Sequence, residues 1–136
     1  LQKAMELCWE NMDEEIQQIT ALKNYMRDKL LQEVPGIDVN GETDTNGSLY
    51  TVLSVSLPPT DHNDLLLFQL DMAGVCASGG SACNSGAAKG SHVLEAIGHP
   101  TDRQTIRFSF GRFSTREEVD IAVSAVKKIL SVEQPV

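Results

Sequence analysis

From Ala4 to Leu31 the apolar residues Met5, Cys8, Met12, Ile16, Ile19, Leu22, Met26 and Leu30 return every three or four positions. That is one stripe of an amphipathic helix, and Pro35-Gly36 stops it, so residues 1–34 read as a single long helix. A helix of about 30 residues runs about 45 Å, longer than a domain of this size is wide. Its N-terminal half is therefore expected to overhang, carrying apolar side chains that nothing else in the chain covers. A coiled coil is the alternative, but the acidic Asn11–Glu15 stretch disfavours it.

Beyond the helix, Ile37–Asn40 reads as a short strand ending at an Asn40-Gly41 turn. Leu49–Leu57 alternates, with Leu49, Thr51, Leu53, Val55 and Leu57 sharing one face, and Pro58-Pro59 ends it. Asp61–Met72 reads as a helix capped by Thr60 or Asp61. Val75–Ala77 is a short strand candidate, and His92–Ile97 a short helix closed by Gly98. Thr105–Phe110 alternates again, placing Ile106, Phe108 and Phe110 inward and Thr105, Arg107 and Ser109 on the opposite face. Ser114 and Glu117 form the expected capping box of a last helix, Thr115–Leu130. The sum is one α+β domain over residues 1–136. In it a small, mostly antiparallel sheet is covered by helices and preceded by the long N-terminal one.

Composition narrows the partners. The 136 residues are 41% hydrophobic and 22% charged, a balance suited to one globular core. The net charge of −8 argues against nucleic acid, whose binding needs a basic surface, and against anionic membranes. No apolar run is long enough to span a bilayer. Three cysteines without a framework spacing fit free thiols in a reducing cytoplasm. A first residue of Leu1, already inside a helical pattern, is expected of a piece of a longer protein.

The chemistry concentrates in Ser78–Gly90, a stretch of small and polar residues with no large apolar anchor. Cys83 sits near its middle, where a free cysteine serves no packing role. An exposed thiol with a pKa near 8.5 is a few per cent thiolate at neutral pH, enough to attack without a triad. Lys89 or the short helix beyond it could lower that value further. A linker with an incidental cysteine is an equal reading of the loop alone, and a phosphate nest is a third. The P-loop spacing is absent. A metal site from Cys76, Cys83, His92 and His99 lacks zinc-like spacing. No metal ligand is assigned.

Ser78-Gly79-Gly80-Ser81-Ala82-Cys83 resembles the S-S-G-S-A-C loop of cysteine desulfurases in the class V aminotransferase group, with Gly79 in place of the second serine. Asn84 stands where that family has serine or threonine. Ser91–Gly98 is similar to its S-x-V-L-x-A-[IL]-G block, and Thr105–Phe113 to its S-[IL]-R-[FI]-S-[LF]-G-R-x block. The three blocks keep the family's order and spacing; Leu1–Leu57 matches mainly in layout.

The resemblance implies the C-terminal small domain of such an enzyme, of the group with a long catalytic loop. Members convert L-cysteine to L-alanine and pass the sulfur to acceptors such as scaffold proteins of iron–sulfur cluster assembly. Pyridoxal phosphate supplies the electron sink. Cys83 matches the catalytic cysteine, which attacks the substrate sulfur and becomes a persulfide. Arg107 matches the arginine whose planar fork grips the substrate carboxylate. On the bare pattern Arg107 reads instead as an exposed strand residue in a weak ion pair. Arg112 and Gly111 belong to the same block and read as structural. Cys8 is expected in the core and Cys76 buried, the latter also able to resolve a disulfide with Cys83 under oxidation. His62, His92 and His99 read as surface or capping residues.

In this family the Schiff-base lysine lies in the large domain, and Lys89 does not match its context. No residue here is assigned to the cofactor, and the piece by itself is expected to bind none and to turn over no cysteine. A homodimer is expected of the whole protein. Two other readings stay open: a sulfur-carrier module without catalysis, and another enzyme of the fold, such as a selenocysteine lyase or a transaminase.

Overall fold

A computed structural model describes residues 1–41, 47–59, 65–79, 93, 96, 98 and 103–132. The elements are α1 (Gln2–Glu33), β1 (Asp38–Val39), β2 (Val52–Ser56), α2 (Leu66–Met72), β3 (Thr105–Ser109) and α3 (Arg116–Val132). The strands form one antiparallel sheet in the order β1-β2-β3. The α+β layout expected from the sequence is the one observed.

Helix α1 ends because Pro35 forces the residue before it out of the helical region. Val34 is extended, at φ −117 and ψ 98, while its N–H still donates to the Leu30 carbonyl. Gly36 then turns the chain at φ +78, with the Pro58 side chain too near for a Cβ to fit comfortably. Only the C-terminal half of α1 is covered: Ile19, Leu22, Met26 and Leu30 are buried. Met5, Trp9 and Met12 are exposed, and so is Cys8, which was expected in the core. Cys8 lies on the correct stripe, but the stripe continues past the end of the domain.

The core is built between the sheet and the helices. Leu53 and Val55 of β2 and Ile106 and Phe108 of β3 share the inner face. Against them pack Met26 and Leu30, Leu66 and Leu70, and Val119, Val123, Val126 and Leu130 of α3. Each such burial contributes about 1.5–3 kcal/mol before the entropy of ordering is subtracted. Phe110 lies partly buried against the same cluster. β2 is shorter than expected. Leu49 is exposed, and its carbonyl accepts a hydrogen bond from the Lys23 ammonium, which also donates to Ser48 Oγ. Burial and the neighbouring Arg27 push the Lys23 ammonium down from its ordinary pKa.

The capping box of α3 is set one residue later than the pattern suggested. Glu118 N–H donates to Thr115 Oγ1, and Thr115 N–H donates to the Glu118 carboxylate. Ser114 is occupied elsewhere, its Oγ accepting from Gly111 N–H. Of the expected Asp61–Met72 helix, the described part is α2; Thr60 and Asp61 lie outside the described residues. Of His92–Ile97, only Val93 and Ala96 are described, both helical, and Gly98 has φ +75.

Candidate functional site

The path to the site begins at the end of α2. Gly74, at φ +78, lets its own N–H donate to the Asp71 carbonyl and Val75 N–H to the Leu70 carbonyl. This Schellman pair closes the helix and drives Val75 into the core beside Leu70. No strand forms over Val75–Ala77, contrary to expectation, and Cys76 is exposed where burial was expected. The reason is local: Val75 takes the inward position, and the extended chain turns its successor outward. Cys76 lines a groove of about 390 Å³ with Met26, Phe108, Phe110, Ile121 and Ala122. That groove includes neither Arg107 nor Ser54.

Two residues later the chain meets β3. Ser78 N–H donates to the Arg107 carbonyl at 3.1 Å, and Arg107 N–H donates to the Ser78 carbonyl at 2.7 Å. Arg107 thus spends its main-chain groups on Ser78 and faces Ser54 across β2 as a non-hydrogen-bonded pair. Ser54 in turn gives its carbonyl to Asn40 N–H at 2.9 Å. Paired residues of an antiparallel sheet share a face. Asn40, Ser54, Arg107 and Ser78 therefore form one row across the sheet, on the side away from Ile106 and Phe108.

The row is polar and partly ordered by its own hydrogen bonds. Asn40 Nδ2 donates to Ser54 Oγ at 3.1 Å, and Asn40 Oδ1 accepts from Ser56 Oγ. Arg107 is half-buried, its Nε is out of contact with solvent, and that nitrogen has no hydrogen-bond partner among the described residues. Among the described residues no carboxylate pairs with it. A buried guanidinium N–H without a partner costs about 1–3 kcal/mol, which an incoming planar anion would relieve. Arg112 behaves differently. It sits 3.9 Å from Glu15 and over the Phe113 ring at 4.8 Å, while its carbonyl accepts from Gln18. That joins the segment after β3 to α1, a structural task.

Gly79 lies against β3 as well. A Cβ there would come within 2.9 Å of Leu67 Cδ1 and 3.1 Å of the Thr105 carbonyl. The one departure within the S-S-G-S-A-C block thus coincides with a place where the backbone itself is in contact. Cys83, Lys89, His62, His92 and His99 lie outside the described residues. Among the described residues, no three His, Cys, Asp or Glu side chains could share a metal ion. No described helix is long and apolar enough to cross a membrane.

The sequence singles out Arg107 but not the row around it. Asn40 read as a turn residue and Ser54 as the outward half of an alternation. Only the strand register brings them beside the arginine.

Residues 1–122 match the family model described as aminotransferase class-V. Among curated proteins, the chain is 35% identical to cysteine desulfurase IscS of Clostridium botulinum over 96% of its length, covering 33% of that protein. It is 38% identical to a putative cysteine desulfurase, IscS 1, of Bacillus subtilis, again over 96% of the chain and 34% of that protein. Among solved structures, a NifS-like protein superposes with a TM-score of 0.74 at 27% identity, over 96% of this chain and 32% of that one. The cysteine desulfurase CsdA of Escherichia coli shares the fold at a TM-score of 0.62 and 21% identity, over 85% of this chain and 25% of that one. The chain spans about a third of the length of the curated relatives it matches.

Proposed function

Because the chain belongs to the class V aminotransferase family, we propose that it forms the sulfur-accepting, substrate-gripping part of a pyridoxal-phosphate-dependent cysteine desulfurase. In the reaction L-cysteine and the Cys83 thiol give L-alanine and a Cys83 persulfide. The Cys83 thiolate forms the new S–S bond as the substrate C–S bond breaks, and that electron pair remains with carbon, which gains a proton. Arg107 holds the substrate carboxylate. The half-buried guanidinium of Arg107 carries this reading: no described residue bonds or ion-pairs with it, whereas Arg103 spends its fork on the Gly36 and Ser56 carbonyls, so the planar fork of Arg107 is left for a carboxylate.

The cofactor, when bound, supplies an electron sink. The described residues on the polar face of the sheet do not fit it. Asp38, Asn40, Ser54, Ser56, Thr105, Arg107 and Ser109 include no amine to condense with its aldehyde. The cofactor-binding domain and the surface of the expected homodimer belong to the rest of the full-length enzyme. The persulfide passes its sulfur to an acceptor scaffold protein, in the cytoplasm.

The test is a Cys83→Ala substitution in the full-length protein, with L-alanine release and the mass of the loop peptide followed together. Loss of turnover and of the added sulfur atom supports the desulfurase. L-alanine release that survives the substitution points instead to a selenocysteine lyase, and L-cysteine consumed without L-alanine release, in both proteins alike, to a transaminase. Sulfur uptake at Cys83 from a persulfide donor, without alanine release by the intact protein, leaves a carrier module.

A further inference from the structure

We infer that Ser54 is a second donor to the substrate carboxylate, oriented for that task by Asn40. This rests on the reading of Arg107 as the carboxylate grip.

The register sets the geometry. Both main-chain groups of Arg107 go to Ser78, so Ser54 is its non-hydrogen-bonded partner. In that kind of pair the Cα atoms stand only about 4.5 Å apart and the side chains emerge together. Ser54 is the nearest cross-strand side chain to Arg107 on β2, and both are half-buried.

The hydrogen bonding sets the chemistry. A serine hydroxyl holds one proton and two lone pairs. Asn40 Nδ2 donates to Ser54 Oγ, which therefore acts as the acceptor in that bond and keeps its own proton. Asn40 is itself held, because its Oδ1 accepts from Ser56 Oγ. The Ser54 O–H has no acceptor among the described residues, and its cross-strand partner Arg107 carries an Nε–H that also has none. Two unspent donors on one polar face, with no described carboxylate on either, suit a carboxylate with four lone-pair sites. The arginine fork alone leaves some of those sites unfilled.

Ser54 thus contacts substrate, while Asn40 is a positioning residue that acts through it. The role belongs to ground-state and transition-state binding alike, because the carboxylate charge does not change during C–S cleavage. Uniform binding of that kind appears in KM and not in kcat.

The experiment uses the full-length, cofactor-loaded protein and steady-state turnover of L-cysteine. Ser54→Ala is expected to raise KM about tenfold, the worth of one hydrogen bond to a charged group, with kcat within about twofold. Inhibition by the product L-alanine should weaken by the same factor. Ser54→Thr keeps the hydroxyl and should restore most of the affinity. Asn40→Ala frees the hydroxyl to rotate and should give a smaller KM increase. Should Ser54→Ala fold poorly, the Ser54→Thr and Asn40→Ala comparison decides alone. An unchanged KM in Ser54→Ala, while Arg107→Lys raises it, overturns the role of Ser54 and leaves the desulfurase reading standing. Equal losses of kcat in Ser54→Ala and Ser54→Thr also overturn it, since they report packing. A wild-type protein without cysteine turnover overturns both.

Discussion

The Lys29 ammonium donates to Asp120 Oδ1 at 2.6 Å, joining the buried half of α1 to α3. Tyr25 Oη donates to the same oxygen at 2.7 Å, and Arg116 lies over the Tyr25 ring at 4.2 Å. Glu33, between Lys29 and Lys127, extends the network along both helices. The hydrogen bonds from Lys29 and then Tyr25 hold the Asp120 carboxyl below its ordinary 3.8, and the bond to Asp120 holds Lys29 above its ordinary 10.5.

The pH dependence follows from those directions. A carboxylate with a lowered folded pKa contributes stability that is present above about 3.8 and lost as pH falls through the folded value. A lysine with a raised pKa contributes below about 10.5 and is lost as pH rises through its folded value. Urea unfolding between pH 2 and 5 should therefore show a steeper acid loss in the wild type than in Asp120→Asn. Parallel curves would mean the pair contributes nothing to the acid limb.

Arg107→Lys is expected to reduce kcat/KM for L-cysteine by about 100-fold in the full-length protein. A lysine supplies a point charge but not two parallel hydrogen bonds, and each such bond to a charged group is worth about 1.5–3 kcal/mol. The urea midpoint should not fall below wild type, because the substitution removes a buried Nε–H that has no partner among the described residues.

Gly74→Ala should destabilise the chain by about 1–2 kcal/mol, the cost of a left-handed backbone at a residue with a Cβ. Nothing lies within 4 Å of a Cβ placed there, so the loss is one of conformation and not of crowding. Denaturant unfolding measures it. A neutral effect would show that the Schellman turn can be replaced at no cost.

Gly79→Ser restores the residue that desulfurase loops carry, yet here its Cβ meets the Thr105 carbonyl and Leu67. Leu67 can rotate away; a strand carbonyl cannot. Faster amide exchange at Ser78 and Arg107 is therefore expected, as their two mutual hydrogen bonds are pushed apart. Undisturbed exchange at both positions would show that the loop base has room to adjust.

Leu30→Ala should cost about 2–5 kcal/mol, since Leu30 is fully buried where α1 meets the rest of the core. Met12→Ala, on the same stripe but 37% exposed, should cost well under 1 kcal/mol. Thermal melts of the two variants separate the covered from the uncovered half of the helix.

Some of this organisation was plain in the sequence. The three-to-four spacing and Pro35 define α1 to within two residues at each end, because a helix repeat and a proline stop are local signals. The alternations around Leu53 and Ile106 give both inner faces for the same reason. The cap of α3 slipped by one residue, since Ser114 with Glu117 and Thr115 with Glu118 satisfy the same pattern, and only the Gly111 amide decides between them. The outward turn of Cys76 follows from a helix-ending turn at Gly74, which alternation alone does not contain. The row of Asn40, Ser54, Arg107 and Ser78 depends on register between segments far apart in sequence, and no local pattern encodes it.

The lone tryptophan of the chain, Trp9, belongs to the stretch of α1 that projects past the core, and it is 79% exposed. Its emission should already be that of an indole in water while the domain is folded, and unfolding should leave the spectrum almost unshifted. Intrinsic fluorescence is thus blind to the melting of this core, whereas far-ultraviolet circular dichroism follows it. The same dye-like residue becomes a reporter of anything that settles over the projecting turns, through a shift to shorter wavelength.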